Sequence, residues 1–150
     1  MDKIKKEQLE MVTQQLKELS GTYRDAVAQI GISENEYWIW NTLVFPDGEY
    51  SQRDICAAWS LSKQTVNTIV SHMVRKGYAV LEVVPGTRNR KIIRLTEAGQ
   101  KYGESIVIPI HSAGERAIDR LSPEEFIAGS TALRKFITIL KEEMTDAKSK

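Results

Sequence analysis

The chain has one cysteine and two histidines. The single thiol, Cys56, leaves no internal disulfide and no cysteine pair for zinc. His72 and His111 are too far apart in sequence for metal-ligand spacing, so neither metal nor cofactor is expected. No apolar run reaches the roughly 18 residues that a membrane-spanning helix needs. The opening Met1-Asp2-Lys3-Ile4-Lys5-Lys6-Glu7 is charged and lacks the apolar stretch of a signal peptide. A cytoplasmic location with no membrane partner is expected. No Ser/His/Asp set, paired-carboxylate site or Gly-rich phosphate loop stands out, and Glu124-Glu125 reads as helix capping. An enzyme is not expected. What is present is 150 residues, 41% of them hydrophobic, enough for a sizeable core in one domain or two interlocked ones.

Acidic residues are also missing from one long stretch, between Asp54 and Glu82. The chain is nearly neutral at +1, yet residues 51–101 hold nine Lys/Arg against three Asp/Glu, a net +6. The flanks carry −4 over residues 1–50 and −1 over residues 102–150. A basic middle between mildly acidic flanks is the electrostatic footprint of a DNA-binding module held in a larger scaffold.

Inside the acid-free stretch, Val66, Ile69, Val70, Met73 and Val74 fall on one helical stripe. The other face carries Ser62, Lys63, Gln64, Thr65, Asn67, Thr68 and Ser71, side chains suited to phosphates and base edges. Helix starts usually favour acids, which complement the macrodipole. Here the start is Ser62 followed by Lys63, so a nucleic-acid phosphate is a fitting complement instead.

Helical periodicity predicts a first helix over about 4–30, passing through Gly21 and stopping at Gly31. Ser33-Glu34-Asn35-Glu36 reads as a capping box for a helix reaching about Phe45. Pro46-Asp47-Gly48 is a turn, and Ser51 opens a short helix ending near Trp59. Ser60-Leu61 connects it to the helix that starts at Ser62 and ends at Gly77. Val80–Val84 and Ile92–Leu95 are β-rich runs flanking a basic tip that contains Arg88, Asn89, Arg90 and Lys91. Thr96 can cap a long helix that Pro109 should kink. Ser122-Pro123-Glu124-Glu125 opens a last helix striped by Phe126, Leu133, Phe136, Ile137, Leu140 and Met144, with a fraying tail at Asp146–Lys150. The fold class expected is mainly α with a small β-hairpin wing. A winged helix-turn-helix lobe over 33–99 is joined to a helical part built from 1–32 and 100–150.

Tyr50-Ser51-Gln52-Arg53-Asp54-Ile55-Cys56, Ser62-Lys63-Gln64-Thr65-Val66-Asn67, Lys76-Gly77-Tyr78, Arg94-Leu95-Thr96-Glu97-Ala98-Gly99 and Leu121-Ser122-Pro123-Glu124-Glu125 occur in an order that resembles the MarR family of transcriptional regulators. Two positions depart from the family pattern at the wing: Thr87 replaces its acid and Asn89 its arginine. Thr68 replaces a frequent arginine of the recognition helix. The resemblance implies a homodimer formed through the first and last helices. It also implies a double-stranded, pseudo-palindromic DNA operator and regulation of transcription, with repression as the expected sense. Base reading is expected from Gln64 and Asn67, and minor-groove or phosphate contact from the wing. A small aromatic or amphipathic effector is expected near Tyr37, Trp38, Trp40 and Trp59. The competing functional class is a winged-helix adaptor that binds protein and not DNA. Cys56 is expected to be a buried, inert thiol.

Overall fold

Every helix begins behind a side-chain oxygen that takes one of its free N–H groups, as the sequence signals require. Asp2 accepts from Ile4 and Lys5, and Ser33, Ser51 and Ser62 accept from Glu36, Asp54 and Thr65. Thr96 and Ser122 accept from Gly99 and Glu125. The computed structural model describes residues 1–149. Along them run α1 (Lys3–Ala28), α2 (Glu34–Val44), α3 (Gln52–Trp59), α4 (Lys63–Arg75), β1 (Ala79–Val83), β2 (Lys91–Leu95), α5 (Glu97–Asp119) and α6 (Pro123–Ser149). α1 continues through Gly21. The hairpin begins one residue earlier than the periodicity suggested, on both strands. The reciprocal capping box expected at Ser33 is only half made: Glu36 accepts instead from the indole N–H of Trp40, one turn on, at 3.1 Å. The complete boxes are at Ser51/Asp54 and Ser122/Glu125.

The chain divides into two compact units, 1–110 and 111–150. The boundary falls one residue after Pro109, whose ring removes one N–H from the α5 ladder.

In the first unit, α2, α3, α4 and the hairpin close around Ile39, Trp40, Ile55, Val66, Val70, Met73 and Ile93, all at most 5% exposed. Between α3 and α4 the chain turns at Ser60, which takes the left-handed conformation (φ 52°), and Leu61 N–H donates back to the Cys56 carbonyl. Gly77 ends α4 at φ 79°, a conformation open to glycine at little cost. β1 and β2 pair antiparallel, with Ala79 opposite Leu95 and Val83 opposite Lys91. Ile93 N–H also donates to the Tyr50 carbonyl at 2.8 Å, tying the hairpin to the segment before α3. Thr96 joins α5 to the hairpin root: its N–H donates to the Tyr78 carbonyl and its hydroxyl to that of Gly77. α1 is different. Of its 26 residues only Val27 is buried, while Leu9, Met11, Leu16 and Leu19 are exposed.

In the second unit, Ser122 and Glu125 fix the start of α6. Leu133, Phe136, Ile137 and Leu140 are half-buried, but none of the α6 side chains over residues 123–148 is fully buried, and Phe126, Ile127, Ile139 and Met144 are exposed. The helix runs on through the tail expected to fray, as far as Ser149; Lys150 lies outside the described residues.

Candidate nucleic-acid interface

Packing decides which face of α4 meets solvent. Val66, Val70 and Met73 are at most 1% exposed and seat the helix in the core, with Ile69 packed beside them. Val74, expected on that stripe, is 37% exposed. On the opposite face Lys63, Gln64, Asn67 and Thr68 are exposed, and Thr65 and Ser71 are half-buried. Ser62 and Thr65 are partly occupied in holding the helix start. The Ser62 hydroxyl donates to Thr65 Oγ1 at 2.8 Å and accepts from the Thr65 N–H at 3.1 Å. The first turn contains no acid, so the positive end of the helix dipole stays uncompensated.

All four wing-tip residues, Arg88, Asn89, Arg90 and Lys91, are exposed, but they are not equivalent. Arg90 Nη2 donates to Asp54 Oδ2 at 2.9 Å, across 36 residues of sequence. That carboxylate also accepts the Ser51 N–H at the start of α3. The Ser51 backbone N–H, joined by the Ser51 hydroxyl and the Arg90 guanidinium, holds the Asp54 carboxyl below its ordinary range, against a smaller opposing effect of burial. Arg94 is bound to Glu82 at 3.0 Å and to Glu49. Arg88 and Lys91 form no ion pair among the described residues.

Between α3, the start of α4 and the wing lies a groove of about 730 Å³, lined by Gln52, Arg53, Cys56, Lys63, Asn89 and Lys91 with Ser51 and Arg90. Gln52, Arg53 and Cys56 were not among the residues expected to form the interface. Arg53 and Cys56 stand three apart on α3, a helical spacing that already put them on one face. Cys56 is half-buried rather than sealed in the core, and it shares this groove with four cations.

The aromatic residues expected around an effector fall into two groups. Tyr37, Trp38 and Trp59 join Tyr23 in one cluster, in which the Trp38 and Trp59 rings stack at 4.4 Å. Burial pushes the Tyr37 hydroxyl up to about 12. Trp40 belongs to the other cluster, against the stacked pair Tyr78 and Tyr102. A cavity of about 220 Å³ beside this second cluster is lined by Glu36, Trp40, His72, Lys76, Tyr78 and Tyr102, among others, and not by Tyr37, Trp38 or Trp59.

Among the described residues no three His, Cys, Asp or Glu side chains are grouped to hold a metal ion, and no helix is long and apolar enough to cross a membrane.

The sequence model of the MarR family matches residues 41–88, from α2 to the wing tip. No curated protein matches the chain. Solved structures match over nearly its whole length. A MarR family regulator from Neisseria meningitidis is 17% identical at a TM-score of 0.81, covering 93% of this chain and 97% of that one. MepR of S. aureus in complex with DNA is 22% identical at 0.69, covering 88% and 97%. BpsR of Bordetella bronchiseptica, whose DNA binding is regulated by 6-hydroxynicotinic acid, is 16% identical at 0.65, covering 84% and 89%. At such identities the likeness is one of fold. Residues 41–88 thus carry the sequence pattern of the MarR family, and the chain as a whole has the winged-helix fold of that family's regulators.

Proposed function

We propose that this protein is a sequence-specific DNA-binding regulator of transcription that acts as a homodimer and represses. The observation that carries the reading is the division of α4. Val66, Val70 and Met73 on its apolar face are buried to the last per cent, and its exposed face offers Lys63, Gln64, Asn67 and Thr68 with no acid in the first turn. Gln64 and Asn67 carry the amides that pair bidentately with adenine in the major groove. Arg88 and Lys91 lie free on the wing to meet phosphates. The DNA complex of MepR, which has this fold, is in keeping with the assignment.

Dimerisation is supported by the exposed apolar residues of α1 and α6. A helix of 26 residues with one buried side chain is held by its own chain towards its C-terminal end, where Tyr23 packs on Tyr37 and Trp38, and its N-terminal part is left exposed. A two-fold partner would cover Leu9, Leu16 and Leu19 and carry two α4 helices to major-groove faces about 34–36 Å apart. In this reading residues 33–99 are the DNA-binding lobe, and 1–32 with 100–150 form the dimer. A bound dimer blocks transcription by covering its operator. A small aromatic or amphipathic ligand releases it, and the cavity beside Trp40 is the place we assign to that ligand; BpsR and its 6-hydroxynicotinic acid are the precedent in this fold.

Selection of bound duplexes from a random pool tests the reading. An inverted-repeat site is expected. Asn67→Ala should weaken binding to it by about 1–3 kcal/mol and relax preference at one base pair per half-site. Failure to enrich any sequence, or an Asn67→Ala variant with unchanged affinity and preference, would overturn the assignment.

A further inference from the structure

The groove between α3, the start of α4 and the wing has the volume of a small-molecule site, about 730 Å³, and a basic lining. We propose that it binds free phosphate esters of about mononucleotide size, which compete with DNA for the same cations. Arg53, Lys63 and Lys91 line it, and none of the three has an ion-pair partner among the described residues. Arg90 is a fourth cation, already shared with Asp54. Three unpaired cations facing one groove repel each other until an anion arrives, and a phosphate monoester brings close to two charges at neutral pH. Arg53 supplies the fork that takes two phosphate oxygens, and Lys63 and Lys91 act as point charges. Gln52 and Asn89 add amides able to donate or accept, and the Cys56 side chain gives an apolar surface. At about 730 Å³ the groove lies in the size range of small-molecule sites, roughly 300–1,000 Å³, far more than a bare phosphate fills. The smaller cavity beside Trp40, at about 220 Å³, falls below that range and has Lys76 as the one Lys or Arg in its lining. The competition with DNA rests on the DNA-binding reading; the binding of the ester itself does not.

The single thiol makes this testable, because Cys56 lies inside the groove. Its alkylation by iodoacetamide, a neutral reagent, is followed by mass spectrometry at fixed ionic strength. Millimolar adenosine 5′-monophosphate should slow the reaction saturably, and adenosine should not. The double variant Arg53→Ala/Lys63→Ala, altered only at exposed side chains, should need about tenfold more nucleotide for half protection, a loss of about 1.4 kcal/mol. Lys17→Ala/Lys101→Ala, with the same loss of charge elsewhere, should not. Equal protection by adenosine, no protection by the nucleotide, or unchanged protection in the groove variant would each overturn the proposal. A duplex carrying the selected site, run in parallel, separates the two readings. Protection by duplex alone removes the free-ester site and leaves DNA binding intact. Protection by the nucleotide alone supports the ester site and counts against DNA binding.

Discussion

Gly99 is where α5 meets the hairpin root, and replacing it with alanine should be among the most damaging single-methyl changes in the chain. A Cβ there would stand 1.9 Å from the Tyr78 carbonyl oxygen and 2.7 Å from its carbon. Ordinary contact between carbon and oxygen is about 3.3–3.6 Å, so an opening of about 1.4 Å is needed. The obstacle is backbone and cannot rotate away. That same carbonyl accepts the Thr96 N–H at 3.0 Å, and the Tyr78 ring stacks on Tyr102 at 4.6 Å. Moving it strains the link that starts α5. Overpacking of this kind costs about 1–3 kcal/mol, here at the upper end because backbone must shift. The weakened hydrogen bond adds about 1 kcal/mol. The helix preference of alanine returns at most about 1 kcal/mol. The net loss is about 3 kcal/mol, which for a chain of this size lowers the melting temperature by roughly 6–12 °C.

Gly129 is the control. It lies in α6 with an ordinary helical backbone, and a Cβ added there would meet nothing within 4 Å. Gly129→Ala should therefore stabilise, by up to about 1 kcal/mol. Thermal unfolding by circular dichroism at one protein concentration compares the two, since a dimer's melting temperature depends on concentration. Opposite shifts are expected. A Gly99→Ala protein that melts with or above the parent would refute the reasoning.

The two wing arginines should behave differently. Arg88→Ala should flatten the dependence of log affinity on log salt by about one unit per half-site, whereas Arg90→Ala should change it much less, because Asp54 already balances that charge. Fluorescence anisotropy over a salt series checks this, and equal slopes for the two variants would refute it. Alkaline stability should depend on Tyr37. Its folded-state pKa is raised to about 12, so its contribution is intact below the unfolded value, about 10, and is lost as pH rises from there towards 12. Denaturant titrations at both ends of that window should show Tyr37→Phe losing less stability than the parent; an identical loss would count against the assignment.

Local signals carried most of the fold into the sequence. Caps at Ser51, Ser62, Thr96 and Ser122, stops at Gly31 and Gly77, and the stripe Val66-Ile69-Val70-Met73 all act within one or two turns, and each is where it was expected. The failures have local causes too. Glu36 has two donors within reach, its own cap N–H and the Trp40 indole, and takes the indole. Trp38 and Trp40 stand two apart on a helix, so they point to different sides and join different clusters. Their spacing alone sets them on different sides of α2. What no local rule contains is the Arg90–Asp54 pair, made only when the hairpin folds back on α3. The groove depends on the same closure, so the sequence points to its lining residues from α4 and the wing, Lys63, Asn89, Arg90 and Lys91, and not to Ser51, Gln52, Arg53 and Cys56.

That closure also revises the charge inventory. Of the nine cations in residues 51–101, Arg90 and Arg94 are bound to Asp54, Glu49 and Glu82. Arg53, Lys63, Arg88 and Lys91 remain unpaired on α3, the start of α4 and the wing, around the face assigned to DNA. Four cations in each of two protomers would neutralise at most eight phosphates, a limiting salt slope of about −7. A measured slope much steeper would require cations outside the lobe to touch DNA. A slope of about −3.6, from four phosphates in all, would mean that the groove pair, Arg53 and Lys63, faces away from the backbone. In that case the groove would be open to a free ester while DNA is bound, and competition between the two would fail even though both ligands bind.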